Sequence, residues 1–200
     1  MFSYPKSFSA LAPLTLLLLG MSMPLEGAGQ LTERTVQPQD RGRQADSTEV
    51  SDLLNRARSE ANQLKMDASE MESFTRSNLD WQTQSGKINQ IKNDVNAIGR
   101  TVSKLKDEEA MASDWQKIAI VRITPLLQEL ASNTTAVINH LNKDRGRNLN
   151  SQEHRDMLKM NAELSGDLAS VVEDFVTYGK TKSRFYQLQH KLELSEPAGQ

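Results

Sequence analysis

Apolar residues recur every three or four positions through four successive stretches of the chain, which is the spacing of one helix face. In the first stretch the seam is Val50, Leu54, Ala57, Ala61, Leu64, Ala68 and Met71. In the second it is Ile88, Ile91, Val95, Ile98, Val102 and Leu105. The third carries Ile120, Ile123, Leu127, Leu130, Thr134, Val137 and Leu141, and the fourth Met157, Met160, Leu164, Leu168, Val171, Phe175, Tyr178 and Phe185. Alternating steps of three and four describe a heptad seam, and none of these stripes can be buried by its own helix.

The breaks between stretches predict the turns. The register slips between Phe74 and Leu79, where Thr75-Arg76-Ser77-Asn78 is polar, and Ser77 or Asn78 is the expected cap of the second helix. No proline forbids one continuous helix from about 47 to 106, so that alternative stands, with Gly86 as another break. Lys104 to Ala110 reads as a charged turn, and Asn142 to Leu149 as a loop around Gly146. Asp46 with Glu49, and Asn150 with Glu153, have the spacing of capping boxes. Pro125 lies inside the third stretch and predicts either a kink or a fresh start capped by Thr124. Gly179 is a weak point in the fourth. Short polar connections between amphipathic helices predict an all-α, antiparallel up-down-up-down bundle of four helices over 48–193. A longer two- or three-helix coiled coil that completes its core by dimerising is the alternative.

The first residues follow another pattern. Met1 to Lys6 is a short basic segment, Phe8 to Gly20 an uncharged apolar run, and Met23 to Gln30 small and polar. This is the layout of a secretory signal peptide over 1–29, with cleavage expected after Gly29 or Ala28. The apolar run is shorter than the ~20 residues of a membrane span. Residues 30–47 are polar, with Pro38 and Gly42, and predict a flexible leader, while 194–200 is an expected frayed tail. The mature protein is expected outside the cytoplasm, periplasmic or secreted.

Composition narrows the function classes. The 200 residues include 24 Lys and Arg against 26 Asp and Glu, a balance that argues against nucleic-acid binding. The absence of cysteine excludes disulfides, thiolate metal sites, a thiol nucleophile and a lipoprotein anchor. Neither a Gly-x-Ser-x-Gly elbow nor a glycine-rich phosphate loop occurs, so the chain is read as a non-enzyme without cofactor.

Several residues are candidate sites. His140 and His154 flank one loop with Asp144 and Glu153 nearby, and imidazole with carboxylate suits several divalent ions. No two histidines share a helix face at ligand spacing, so both are read as solvated helix-end residues and no metal is expected. His190 has no such company. The carboxylates of Asp107-Glu108-Glu109 and Glu173-Asp174 read as solvated faces, and Met66, Met71, Met111, Met157 and Met160 as core filling. Trp81 and Trp115 both occur as Asp-Trp-Gln, 34 residues apart, and are expected to plug the bundle ends rather than form a binding platform. Asn133-Thr134-Thr135 is a glycosylation sequon placed mid-helix. Lys180-Thr181-Lys182-Ser183-Arg184 is a basic patch able to touch an acidic surface or anionic lipid, and otherwise a solvated face.

The apolar leader, Thr75-Arg76-Ser77-Asn78-Leu79-Asp80-Trp81, Leu130-Ala131-Ser132-Asn133-Thr134 and Tyr178-Gly179-Lys180-Thr181-Lys182 together resemble uncharacterised bacterial families of exported, helix-only proteins. The resemblance spans most of the mature chain and implies no activity. The function expected from the residues is an interaction or scaffold module of the cell envelope, binding an envelope or extracellular protein or a second copy of itself. The alternative is a carrier of an apolar ligand or lipid between the helices.

Overall fold

Each apolar stripe of the sequence becomes one wall of a single core. The structure, a computed structural model, describes residues 45–77, 80–144 and 149–193. The expected signal peptide, most of the expected leader and the expected tail lie outside the described residues. Four helices follow one another: α1 (Thr48–Ser73), α2 (Trp81–Asp107), α3 (Asp114–Asp144) and α4 (Gln152–Lys191). Short 3-10 turns, Phe74–Arg76 and Glu109–Met111, follow α1 and α2.

Cross-helix bonds fix the direction of each helix. Glu60 pairs with Thr101 and Asp67 with Lys87, so α2 runs against α1. Asn133 meets Asn161 while His140 meets His154, so α4 runs against α3. Asp46 meets Lys182 while Arg58 meets Glu173, which closes α4 antiparallel onto α1. The architecture is the up-down-up-down four-helix bundle. The uninterrupted 47–106 helix is ruled out by the break after Ser73. Among the described residues, no helix is long and apolar enough to cross a membrane.

The first three seams are buried at every position named from the sequence. The fourth is not. In α4 the buried residues are His154, Leu158, Asn161, Leu164, Ser165, Leu168, Ala169, Val172, Val176 and Gln189, so Leu164 and Leu168 of the named seam are inside, Met157, Val171 and Phe175 are half-buried, and Met160, Tyr178 and Phe185 are exposed. His154, Asn161, Ser165 and Ala169 share the inward stripe with leucine and valine, so the large apolar residues alone described a face displaced from the true one.

The caps also differ from expectation. Ser47 caps α1 in place of Asp46, Asp80 caps α2 in place of Ser77 or Asn78, and Ser151 caps α4 in place of Asn150. In each the side-chain oxygen accepts from the backbone N–H three residues on. The Asp80 carboxyl is held below its ordinary value by bonds from the Thr83 backbone and hydroxyl, with a further bond from the Gln82 backbone. Helix α3 passes through Pro125 without restarting, and the Thr124 hydroxyl donates back to Ile120 O at 2.8 Å. The end of the expected leader is ordered as well, because Asp46 and Ser47 are both tied to α3.

Candidate functional site

The bundle end formed by the start of α1, the start of α3 and the last turns of α4 gathers the exposed aromatic residues. Trp115, in the first turn of α3, lies edge-on to Tyr178 with ring centroids 5.5 Å apart. Its indole N–H donates to Asp46 Oδ1 at 2.7 Å, and Lys182 Nζ donates to the same oxygen at 2.7 Å. Partial burial raises the Asp46 pKa, but bonds from Lys182, Ser113 and Trp115, with the Lys182 charge, carry it below its ordinary value. An open groove beside this cluster is lined by Trp115, Ile118, Tyr178, Phe185 and Tyr186, together with the charged Asp114 and Lys182. Lys182 also lies 5.9 Å from the Tyr186 ring centroid.

Gly179 permits the close approach of Trp115. A Cβ at that position would stand 2.6 Å from Trp115 Cη2 and 3.0 Å from Cζ2, whereas at Gly86, Gly99 and Gly166 it would meet nothing within 4 Å. Gly179 is therefore a packing requirement rather than a weak point of α4. Gly99→Ala is expected to raise stability by about 1 kcal/mol through helix propensity. Gly179→Ala gains the same propensity but overpacks against the indole and is expected to lose about 1–2 kcal/mol net. Thermal unfolding of the two variants side by side checks the opposite signs.

Beneath Trp115 lies Gln116, fully buried. Its Oε1 accepts from Ser113 N at 2.9 Å and Ser47 N at 3.0 Å, and its Nε2 donates to Ser47 O and Ser51 Oγ. Ser113 precedes α3 and Gln116 is its third residue, so the pair forms half of a capping box while the same amide anchors α1. The Ser-x-x-Gln spacing of 113–116 was the available signal for it.

The opposite end holds Trp81, His140 and His154. The Trp81 N–H donates to Leu141 O at 3.1 Å, so the two indoles do sit at opposite ends, each half-buried and bonded by its nitrogen. His140 and His154 come together with ring centroids 5.4 Å apart and planes 17° from parallel. They are not solvated: His154 is 1 % exposed and His140 half-buried. As the third residue of α4, His154 turns into the bundle end, where its Nε2 meets Gln84 Oε1 at 2.9 Å. Burial, and the neighbouring His140, push its pKa down to about 4, so it is neutral in the fold. His140 Nε2 and His154 Nδ1 are buried without a hydrogen-bond partner. Among the described residues, no group of three or more His, Asp or Glu is placed to hold a metal ion.

A third polar cluster crosses the middle of the α1–α2 seam. Asp67 takes Lys87 Nζ at 2.7 Å on one oxygen, and Gln63 and Gln90 at 3.0 and 2.9 Å on the other. Lys87 also pairs with Glu70. Burial, together with the hydrogen bond to Asp67 and the Asp67 charge, pushes the Asp94 carboxyl up to about 6 against a smaller opposing pull from Lys87. Asp94 Oδ2 is buried without a hydrogen-bond partner.

The other candidates are dispersed. Glu173 pairs with Arg58 at 3.6 Å and Asp174 is exposed, while Asp107 and Glu108 end α2. The methionines depart from core filling: Met71 is buried and Met157 half-buried, but Met66, Met111 and Met160 are exposed, because each sits on an outward helix position. The Asn133 amide of the sequon donates to Met157 O and Asn161 Oδ1 inside the α3–α4 seam. No family model, curated protein or solved structure matches the chain.

Proposed function

We propose that the protein is a non-enzymatic, exported interaction module of the cell envelope that works through the aromatic end of α4. The observation that carries this reading is the outward apolar face there. Tyr178, Phe185, Leu188 and Leu192 are each about half exposed, on a helix whose inward face is already packed. A soluble bundle has no internal use for large apolar residues on its outside, and such patches mark contact surfaces. The groove beside Trp115 is open rather than enclosed, which supports contact with a surface more than storage of a ligand between helices. Support for export comes from the layout of residues 1–29.

The test places a photo-crosslinking residue at Phe185 or, as a control, at the exposed Lys92 of α2, in the protein expressed in its own host. Adducts are expected from the envelope fraction at Phe185 and not at Lys92, and the purified chain is expected to begin at Gln30 by mass. Equal adducts from both positions, or a chain retaining Met1 in the cytoplasmic fraction, would overturn the reading.

A further inference from the structure

The last turns of α4 differ in charge as well as in polarity from the rest of that helix. Upstream, its outward face is predominantly acidic and exposed, with Asp156, Glu163, Asp167 and Asp174 against Lys159, which pairs with Glu163 at 3.6 Å. At 100° per residue these lie on the same side as Phe185, Leu188 and Leu192, so the face changes from acidic to apolar along its length. Tyr178, Phe185, Leu188 and Leu192 span an arc of about 80°. Lys180, Arg184 and Lys191, all exposed, share a stripe of about 40° beside that arc. Over 178–193 the only acidic residue is Glu193, although the whole chain carries a formal charge of -2. From Gly179, opposite Trp115, the helix runs on to Lys191, about 18 Å.

We infer that this end of α4 docks onto an anionic lipid surface, lying with Phe185, Leu188 and Leu192 in the headgroup boundary. The inference rests on the contact role of this end argued above and names its partner. An interfacial helix needs an apolar arc bordered by Lys and Arg whose alkyl stems share the boundary while the charges reach phosphate. Tyr178 and Tyr186 supply rings with polar tips of the kind enriched at membrane interfaces. The charge gradient along α4 sets the orientation, since the acidic upstream face is repelled by the same surface that attracts the basic end. A second copy fits less well, because two such ends face to face would oppose like charges.

The experiment is flotation of the chain beginning at Gln30 with vesicles of phosphatidylcholine alone or containing about a third phosphatidylglycerol, at low and high salt. Binding to the anionic vesicles that weakens at high salt is expected, with little to neutral vesicles. Each basic residue beside an anionic surface contributes about 1 kcal/mol, so the Lys180→Gln/Arg184→Gln/Lys191→Gln variant is expected to bind on the order of a hundredfold more weakly. Phe185→Ser/Leu188→Ser, also at exposed positions, is expected to abolish binding while circular dichroism shows the helices retained. Equal binding to neutral and anionic vesicles, or unchanged binding by the basic-stripe variant, overturns the lipid proposal. Absence of flotation, with a concentration-dependent dimer that Phe185→Ser abolishes, overturns it too but leaves α4's end as a contact surface. Absence of both flotation and a dimer, with Phe185 crosslinks no different from Lys92, removes both readings.

Discussion

Gln116→Leu is expected to destabilise the protein by about 3–5 kcal/mol, while Gln82→Leu changes stability by less than about 0.5 kcal/mol. The two glutamines end the same Asp-Trp-Gln tripeptide, yet one is fully buried and the other exposed. Leucine fills the volume of Gln116 but accepts no hydrogen bond, which strips the partner from Ser113 N and Ser47 N together. A buried donor left without an acceptor costs about 1–3 kcal/mol, and two are lost. The carbonyl of Ser47 is spared, because the Ser51 N–H and hydroxyl also donate to it. Urea unfolding of both variants measures the difference. Similar midpoints would show that water or a backbone shift replaces the amide, and that Gln116 does not tie α1 to α3.

Between pH 6.5 and about 4 the wild-type stability is expected to fall modestly, while His154→Gln and Asp94→Asn depart from it in opposite directions. The folded pKa of His154 is lowered from 6.5 to about 4, by burial and then by His140. The unfolded chain therefore takes up a proton that the folded one refuses, and stability falls as the pH drops through this window, by at most about 3 kcal/mol. The folded pKa of Asp94 is raised from 3.8 to about 6, by burial and then by Asp67. Here the folded chain takes up the proton first, so stability rises as the pH drops from about 6 towards 4. The Asp94 contribution is the smaller of the two, since the carboxyl is only half-buried and Lys87 stands near it.

His154→Gln keeps an amide for Gln84 and removes the titration, so its stability is expected to rise on acidification through that window. Asp94→Asn keeps the shape of the side chain and removes the opposing gain, so its stability is expected to fall more steeply than wild type. Below pH 4 all three proteins are expected to weaken, because Asp46, Asp67 and Asp80 hold pKa values below ordinary carboxylates and must then protonate. Denaturant midpoints across a pH series check the divergence. Parallel curves for the three proteins would show that neither group is held away from its ordinary protonation in the fold.

How the site escaped the sequence is visible in particular residues. The basic patch at 180–184 and the aromatic residues around it were legible, but not that Lys182 is drawn to Asp46 while Lys180 and Arg184 stay exposed. That division depends on which residue just before α1 arrives opposite α4, a contact 136 residues apart in the chain. The convergence of His140 and His154 was likewise a matter of two helix ends meeting. Loop length allowed it, but only the packing of the bundle end, which buries His154 beside His140, made one histidine neutral.

Periodicity by itself indicated the amphipathic stretches, their approximate ends and three of the four buried faces, because a heptad stripe must be covered by other helices, whether within one bundle or between two chains. It could not determine the face of α4. There His154, Asn161 and Ser165 take inward positions beside leucine and valine, and Gln84, Thr134, Asn133 and the helix backbone bond to His154 Nε2, Asn161 Oδ1 and Ser165 Oγ. The tertiary structure decided that, since a polar side chain is buried by its hydrogen-bond partners and those come from other helices. The same decision turned Phe185, Leu188 and Leu192 outward and left this protein with an apolar end facing its surroundings.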